Sequence, residues 1–361
     1  MTTPSRAPRS EAASGTAGTD PALSEFEPRL ELLVRVAEEM GTDLRIPDLL
    51  DLLPARVSER QVLEWVRRRP ELARIDGAVV VPAGGSPGDR VERRARGQEF
   101  VRLARSFVEG PLGPLRSRLR CVGISGSTAY GEPRDGDDID FIVITRPDAV
   151  WLFLSYCYLA LRLRKPRTAR AGKVEWCFNL VLDEASALQE FGRPRGFLIA
   201  REALTVRVLW GEEYYQALLG ATPWLGTMIP RLFERRAARN PPTRSPAPPW
   251  FARLANVAIF PWLAAYLQAV ALVRNDRYRN AGLAERIFSV RTRLHGISFE
   301  SVRFDRLIGS YERSLGPTRA ANGSGGAPVG PSPTQAGPEV GEPPWRGRSP
   351  SRVDRPSRDP P

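Results

Sequence analysis

The chain has 361 residues, 42% hydrophobic and 26% charged, the composition of a soluble globular protein long enough for two or three domains. A single histidine, His295, argues against histidine-based metal sites and Ser-His triads and leaves carboxylates as the chemistry at hand. The net charge of +12 suits a polyanionic partner such as an NTP or RNA, but nearly all of it is arginine, with Lys165 and Lys173 the only lysines, a bias that a GC-rich genome also produces.

In chain order, residues 1–27 are rich in Pro, Gly, Ser and Ala and hold too little apolar surface to offset chain entropy, so a disordered tail is expected. No apolar run there resembles a signal peptide. Cys121, Cys157 and Cys177 have no metal or redox spacing and read as reduced core residues, which fits a cytoplasmic protein. Leu30, Leu33, Val34 and Ala37 recur at helical spacing, a second helix ends before Pro54, and Ser58 caps a third. Asp76-Gly77 then marks a turn between two short strands. Three helices and a hairpin over 28–90 outline a winged-helix-like domain.

An arginine-rich helix connects through 91–118 into a region, 119–220, that alternates strands and helices. Strands are expected at Leu119–Ser125, Ile139–Thr145 and Lys173–Leu182, with helices from Ala149 and across 195–220. The Pro-rich stretch 240–249 interrupts a helical C-terminal region, 221–316, and residues 317–361 form a second disordered tail. Val150–Leu161 is too short to cross a bilayer. Leu254–Val273 is long enough, but Asn256, Pro261 and Gln268 interrupt it; a buried helix or helix pair is expected, with a membrane segment as the alternative. The fold class is α+β: a strand-containing core between a helical front and a helical tail.

One stretch carries chemistry. An apolar strand runs into Gly126-Ser127, a turn-rich segment follows, and a second apolar strand opens with Asp138-Ile-Asp140. Residues i and i+2 of a strand share a face, so Asp138 and Asp140 aim two carboxylates about 6–7 Å apart at one spot while Ile139 enters the core. Such a pair holds hard divalent cations, with phosphate oxygens completing the coordination. Glycine at 126 lets backbone approach a triphosphate, and the N–H groups and the Ser127 hydroxyl are candidate phosphate donors.

Gly-Ser, ten residues, then Asp-x-Asp, with an apolar strand on each side, resembles the polymerase-beta-type nucleotidyltransferase superfamily. Where that pattern often has Ser before the first aspartate, this chain has Asp137. The resemblance extends over roughly 28–315 to bacterial nucleotidyltransferase-domain proteins of unknown substrate, through Trp151 on the following helix and the Cys177-Phe-Asn179 strand. It implies a small mixed sheet in the core and two Mg²⁺ on Asp138 and Asp140, with the phosphates on Gly126 and Ser127.

The superfamily normally adds a third acid on a neighbouring strand. Strict alternation puts Glu175, Cys177, Asn179, Val181 and Asp183 on one face. Glu175 is the first candidate, Asp183 the second, and a site without a third acid the remaining option. Arg134, Arg170 and Lys173 are candidates for phosphate contacts, with solvated surface side chains as the alternative. No Gly-x-x-x-x-Gly-Lys-Ser/Thr run exists, and Gly84–Gly88 is only a loop. The expected activity is Mg²⁺-dependent transfer of a nucleotide from an NTP to a hydroxyl of RNA, protein or a small molecule. The alternative is a winged-helix nucleic-acid-binding regulator whose second domain only senses nucleotide.

Overall fold

The computed structural model describes residues 21–84, 90–163, 167–168 and 172–312. Residues 1–20 and 317–361 of the two expected tails, Arg170, the 85–88 part of the glycine loop and the side chain of Lys173 lie outside the described residues. The front tail is shorter than expected, because residues 21–27 already belong to helix α1 (Pro21–Met40).

After α1 come β1 (Leu44–Arg45), α2 (Ile46–Leu52), α3 (Glu59–Arg68), β2 (Ala73–Asp76) and β3 (Val79–Pro82), with the strands paired in the order β1-β3-β2. The Ser58 hydroxyl accepts the Gln61 N–H at 3.4 Å, and the Gln61 side chain accepts the Ser58 N–H at 2.8 Å, so two orphan donors of the α3 start are met. Asp76 pairs with Val79 around Gly77, whose φ of +60° suits glycine. This front does not stand apart as a separate domain. Leu30, Leu33 and Trp65 share one apolar core with Tyr215, Leu218 and Leu225 far along the chain. Arg29 donates to the Met228 carbonyl and Arg231 to those of Leu50 and Val57 across the same junction.

Helix α4 (Arg90–Glu109) leads into β4 (Leu119–Ile124), α5 (Gly126–Tyr130), β5 (Ile139–Thr145) and α6 (Val150–Leu163). A two-strand pair, β6 (Arg167–Thr168) with β7 (Gly172–Lys173), precedes β8 (Trp176–Asp183) and α7 (Glu184–Gly192). Then come α8 (Phe197–Thr205), β9 (Arg207–Trp210), α9 (Glu212–Gly220), α10 (Pro223–Met228), α11 (Pro230–Arg236), α12 (Trp250–Asn280), β10 (Phe288–Arg293), β11 (Gly296–Ser301) and α13 (Val302–Leu307). Six strands form one sheet in the order β10-β11-β8-β5-β4-β9; β5 and β8 run parallel, all other neighbours antiparallel. The fold is α+β around a mixed sheet.

Two expectations of helix give way to strand. Within 195–220, β9 intervenes between α8 and α9 and edges the sheet beside β4; Gly211, at φ +77°, separates it from α9. Within 221–316, expected to be helical, the hairpin β10–β11 extends the sheet on β8. Arginines interleaved at Arg291 and Arg293 hide the strand alternation there, and the pairing that fixes β11 involves a strand more than a hundred residues earlier. The Pro-rich segment 240–249 is tied down: Ser245 N–H donates to Glu184 at 3.0 Å, and Arg120 reaches the Thr243 carbonyl at 2.6 Å.

The sheet is covered on both faces. Phe100 and Phe107 of α4, Trp151 and Phe153 of α6, and Ala264, Leu267 and Ala271 of α12 pack over Val122, Phe141, Val143, Phe178 and Val181. The opposite face, with Cys121, Ile142, Ile144 and Leu182, meets α7–α9 and the front helices. The register of β8 against β5 slips between Cys177, opposite Asp140, and Leu180, opposite Ile142. This bulge overturns strict alternation: Leu180 and Leu182 join the Cys177 face, and Val181 joins Phe178.

Candidate functional site

Antiparallel pairing of β4 and β5 brings the carboxyl end of one strand to the start of the other, and the Ser125 N–H donates to the Asp140 carbonyl at 2.9 Å. Gly126 follows at φ +66°, a conformation L side chains rarely adopt, and a Cβ there would lie 3.0 Å from Asp140 Oδ2. The Asp140 carboxylate therefore occupies the space that a side chain at 126 would need. The segment between α5 and β5 is held from outside: Glu132 accepts the Asp43 N–H at 3.1 Å and Arg94 Nε at 3.2 Å, and Arg96 donates to the Pro133 carbonyl. Beneath it α4 presses on α5 so closely that a Cβ on Gly97 would sit 2.3 Å from the Gly131 carbonyl oxygen.

Asp138, Asp140 and Cys177 each offer one ligand atom, and these atoms lie within 4.8 Å of one another. Parallel pairing explains the third member, since Cys177 is the β8 residue opposite Asp140. The electrostatics follow from crowding. Burial, and then the neighbouring Asp138 charge, hold the Asp140 carboxyl well above its ordinary range, and the hydrogen bond from the Cys177 thiol opposes them. Asp138 is also pushed up, by burial and then by Asp137 and Glu175, with a backbone hydrogen bond and, less strongly, Arg274 acting the other way. Burial and the two carboxylates push the Cys177 thiol well above its usual value, so it stays a protonated donor to Asp140.

Other expected residues are placed differently. Ser127 donates its hydroxyl to Asp137 Oδ2 at 2.8 Å, and the Arg134 N–H donates to the same oxygen at 2.8 Å. The Arg134 guanidinium donates to the Glu39 carbonyl. Glu175 lies just before β8 with its side chain 53% exposed, paired to Arg274 of α12 at 3.0 Å rather than grouped with the two aspartates. Its carbonyl accepts the Ile139 N–H at 3.0 Å, so its backbone borders the site, and its carboxylate is close enough to act on Asp138 without joining the three clustered groups. Asp183 sits at the far end of the strand pair, about 16 Å away at strand rise; it caps α7 through the Ser186 N–H at 2.9 Å and pairs with His295.

Sequence reasoning missed Cys177 as a neighbour of the acids and Arg274 as the partner of Glu175. The first had a signal, because Cys177 shares the Glu175 face of its strand. The second had none, since Arg274 lies in a helix 99 positions away. Two further hydroxyls flank the glycine corner: Ser125 Oγ and Thr128 Oγ1 are buried and have no hydrogen-bond partner among the described residues. No protein-family model, curated protein or solved structure matches this chain.

Proposed function

We infer that the chain is a Mg²⁺-dependent nucleotidyltransferase that moves a nucleotide from an NTP to an acceptor hydroxyl. The observation that carries this reading is the crowding of two half-buried carboxylates, Asp138 and Asp140, one of which, Asp140, lies against the open face of Gly126. Burying two like charges together costs repulsion and desolvation that a cation between them relieves. The donor set fits Mg²⁺: the carboxylates are hard oxygen ligands, and Cys177, held as a thiol, orients Asp140 instead of competing as a thiolate. Bound divalent ions supply Lewis-acid stabilisation of phosphoryl transfer.

Asp138 and Asp140 would hold the metal, and the Ser125–Thr128 corner, where the Ser125 and Thr128 hydroxyls are unpartnered, would be the phosphate cradle. Ser127 reaches a phosphate oxygen only by giving up Asp137 as its acceptor. Glu175 becomes a third carboxylate only by leaving Arg274. The fold we assign to 119–220 is the superfamily core; β10–β11 complete its sheet.

A second reading draws on the front. Its order of helix, strand, two helices and hairpin is that of a winged helix, and α3 exposes Arg60, Arg67 and Arg68. Two of these are already paired, with Glu64 and Glu27. The enzyme reading is therefore preferred over a nucleic-acid-binding regulator with a nucleotide-sensing core. The test is transfer of label from each of four NTPs into a lysate by the wild type and by the Asp138→Ala/Asp140→Ala variant. Labelled product from the wild type alone supports the assignment; equal labelling by the double variant rules the metal mechanism out.

A further inference from the structure

The uncharged run 254–273 of α12 carries large apolar side chains on its outward as well as its buried side, yet only one side is covered. Of the 31 residues of α12, Ala252, Asn256, Ala264, Leu267 and Ala271 are buried against α6 and the sheet. A helix apolar all round belongs in a core or against lipid. Here the outward side carries Trp250, Leu254, Trp262, Tyr266, Leu272 and Val273, with Trp262 81% and Leu272 70% exposed. The expected buried helix is thus half unburied. From Trp250 to Val273 the stripe is about 36 Å long at helical rise, and Leu159 of α6, 67% exposed, is also outward. Scattered surface apolar residues need no explanation, but a continuous stripe of this length marks an interaction face.

We propose that this face docks the protein onto an anionic lipid surface, with α12 lying in the plane of the interface. Charge placement selects this occupant. Residues 254–273 hold no charge, whereas Arg253 precedes them and Arg274, Arg277 and Arg279 follow, against a single acid, Asp276. Arg277 and Arg279 are exposed and placed to meet headgroup phosphates at the carboxyl end of the apolar stripe, while Arg253, exposed at the other end, lies at the helical angle of buried Ala271. A second copy fits worse. Centred on the uncharged run, antiparallel helices set Arg253 opposite Arg274, and parallel helices set Arg253 opposite Arg253. Aromatic residues in mid-helix also suit an interfacial position, since Trp262 and Tyr266 then sit at headgroup depth.

The helix cannot cross a bilayer while docked on its own sheet. Asn256 accepts the Trp151 N–H at 2.8 Å, Gln268 donates to the Val290 carbonyl at 2.8 Å, and Asn275 donates to that of Phe288 at 2.7 Å, which pins α12 along its length. This inference does not depend on the enzyme assignment, and its readout is binding. The test is flotation of the full chain with phosphatidylglycerol-containing vesicles and with pure phosphatidylcholine vesicles. We expect flotation with the anionic vesicles, weakened by salt and by Arg277→Gln/Arg279→Gln, and reduced at least about tenfold by Trp262→Glu/Leu272→Glu, which removes two large apolar contacts. Both substituted apolar residues are exposed, so circular dichroism and melting of that variant should match the wild type. A wild type that stays unbound, or an apolar variant that floats equally well, overturns the proposal. So does a dimer abolished by Trp262→Glu in a protein that ignores vesicles, which would assign the face to a second copy.

Discussion

Replacing Gly126 by alanine separates backbone strain from damage to the carboxylate cluster, because Gly131 supplies a matched control five residues on. Both glycines have positive φ, +66° and +81°. An alanine at either position pays the left-handed cost of roughly 1–2 kcal/mol, which lowers the melting temperature by about 2–8 °C at roughly 2–4 °C per kcal/mol. Their surroundings differ. The new Cβ at 126 meets Asp140 Oδ2 at 3.0 Å, whereas at 131 nothing lies within 4 Å. Asp140 must shift by a few tenths of an ångström in Gly126→Ala and need not move in Gly131→Ala. A displaced ligand weakens a pre-formed cation site, so we expect Mn²⁺ affinity to fall about tenfold further in Gly126→Ala than in Gly131→Ala, at similar loss of stability. Thermal melts and Mn²⁺ titration of the two variants decide the matter. Equal Mn²⁺ affinity in both would refute the claim that Gly126 shapes the Asp140 site.

Three further outcomes are expected. Asp140 is held well above its ordinary value in the fold, so the folded state binds more protons and its carboxylate subtracts stability as pH rises from the usual carboxylate range toward its raised value; Asp140→Asn should melt higher than wild type at pH 8, with the gain shrinking toward pH 4 in metal-free buffer. A gain that does not change with pH would contradict that assignment. If Glu175 joins the metal site on release from Arg274, Glu175→Gln should lower the transfer rate at least about 100-fold, and Arg274→Gln should leave it within a few-fold; a Glu175→Gln enzyme at the wild-type rate removes this residue from the machinery. Ser58→Ala, which breaks the paired capping bonds of α3, should cost about 1 kcal/mol in urea unfolding, and no change would mean that the cap contributes nothing.

The elements that were readable in the sequence are those whose signal is local. The β5 strand follows from an unbroken apolar run after Asp138-Ile139-Asp140, the α3 start from Ser58 and Gln61, and the β2–β3 turn from Asp76-Gly77. What escaped depends on partners distant in sequence. β11 is a strand because β8 offers it an edge, and its Gly296 packs so tightly that a Cβ would meet Leu182 Cδ2 at 2.6 Å. The bulge after Cys177 is set by pairing with β5 and has no glycine or proline to announce it. At the site, the proximity of Asp138 to Asp140 and of Asp140 to Gly126 was legible because strand alternation and a turn suffice to bring them together. The diversion of Glu175 to Arg274, and of Ser127 to Asp137, was not, because each depends on the position of a competing partner.

If the chain is a metal-dependent transferase, Asp138 and Asp140 together bind a divalent cation beside the glycine corner. Electron paramagnetic resonance titration of Mn²⁺, with and without a non-hydrolysable ATP analogue, tests it most directly. Mn²⁺ binding by the wild type should tighten with the analogue and be lost in Asp138→Asn/Asp140→Asn, a variant that keeps side-chain volume. Mn²⁺ binding of the same strength in that variant would contradict it.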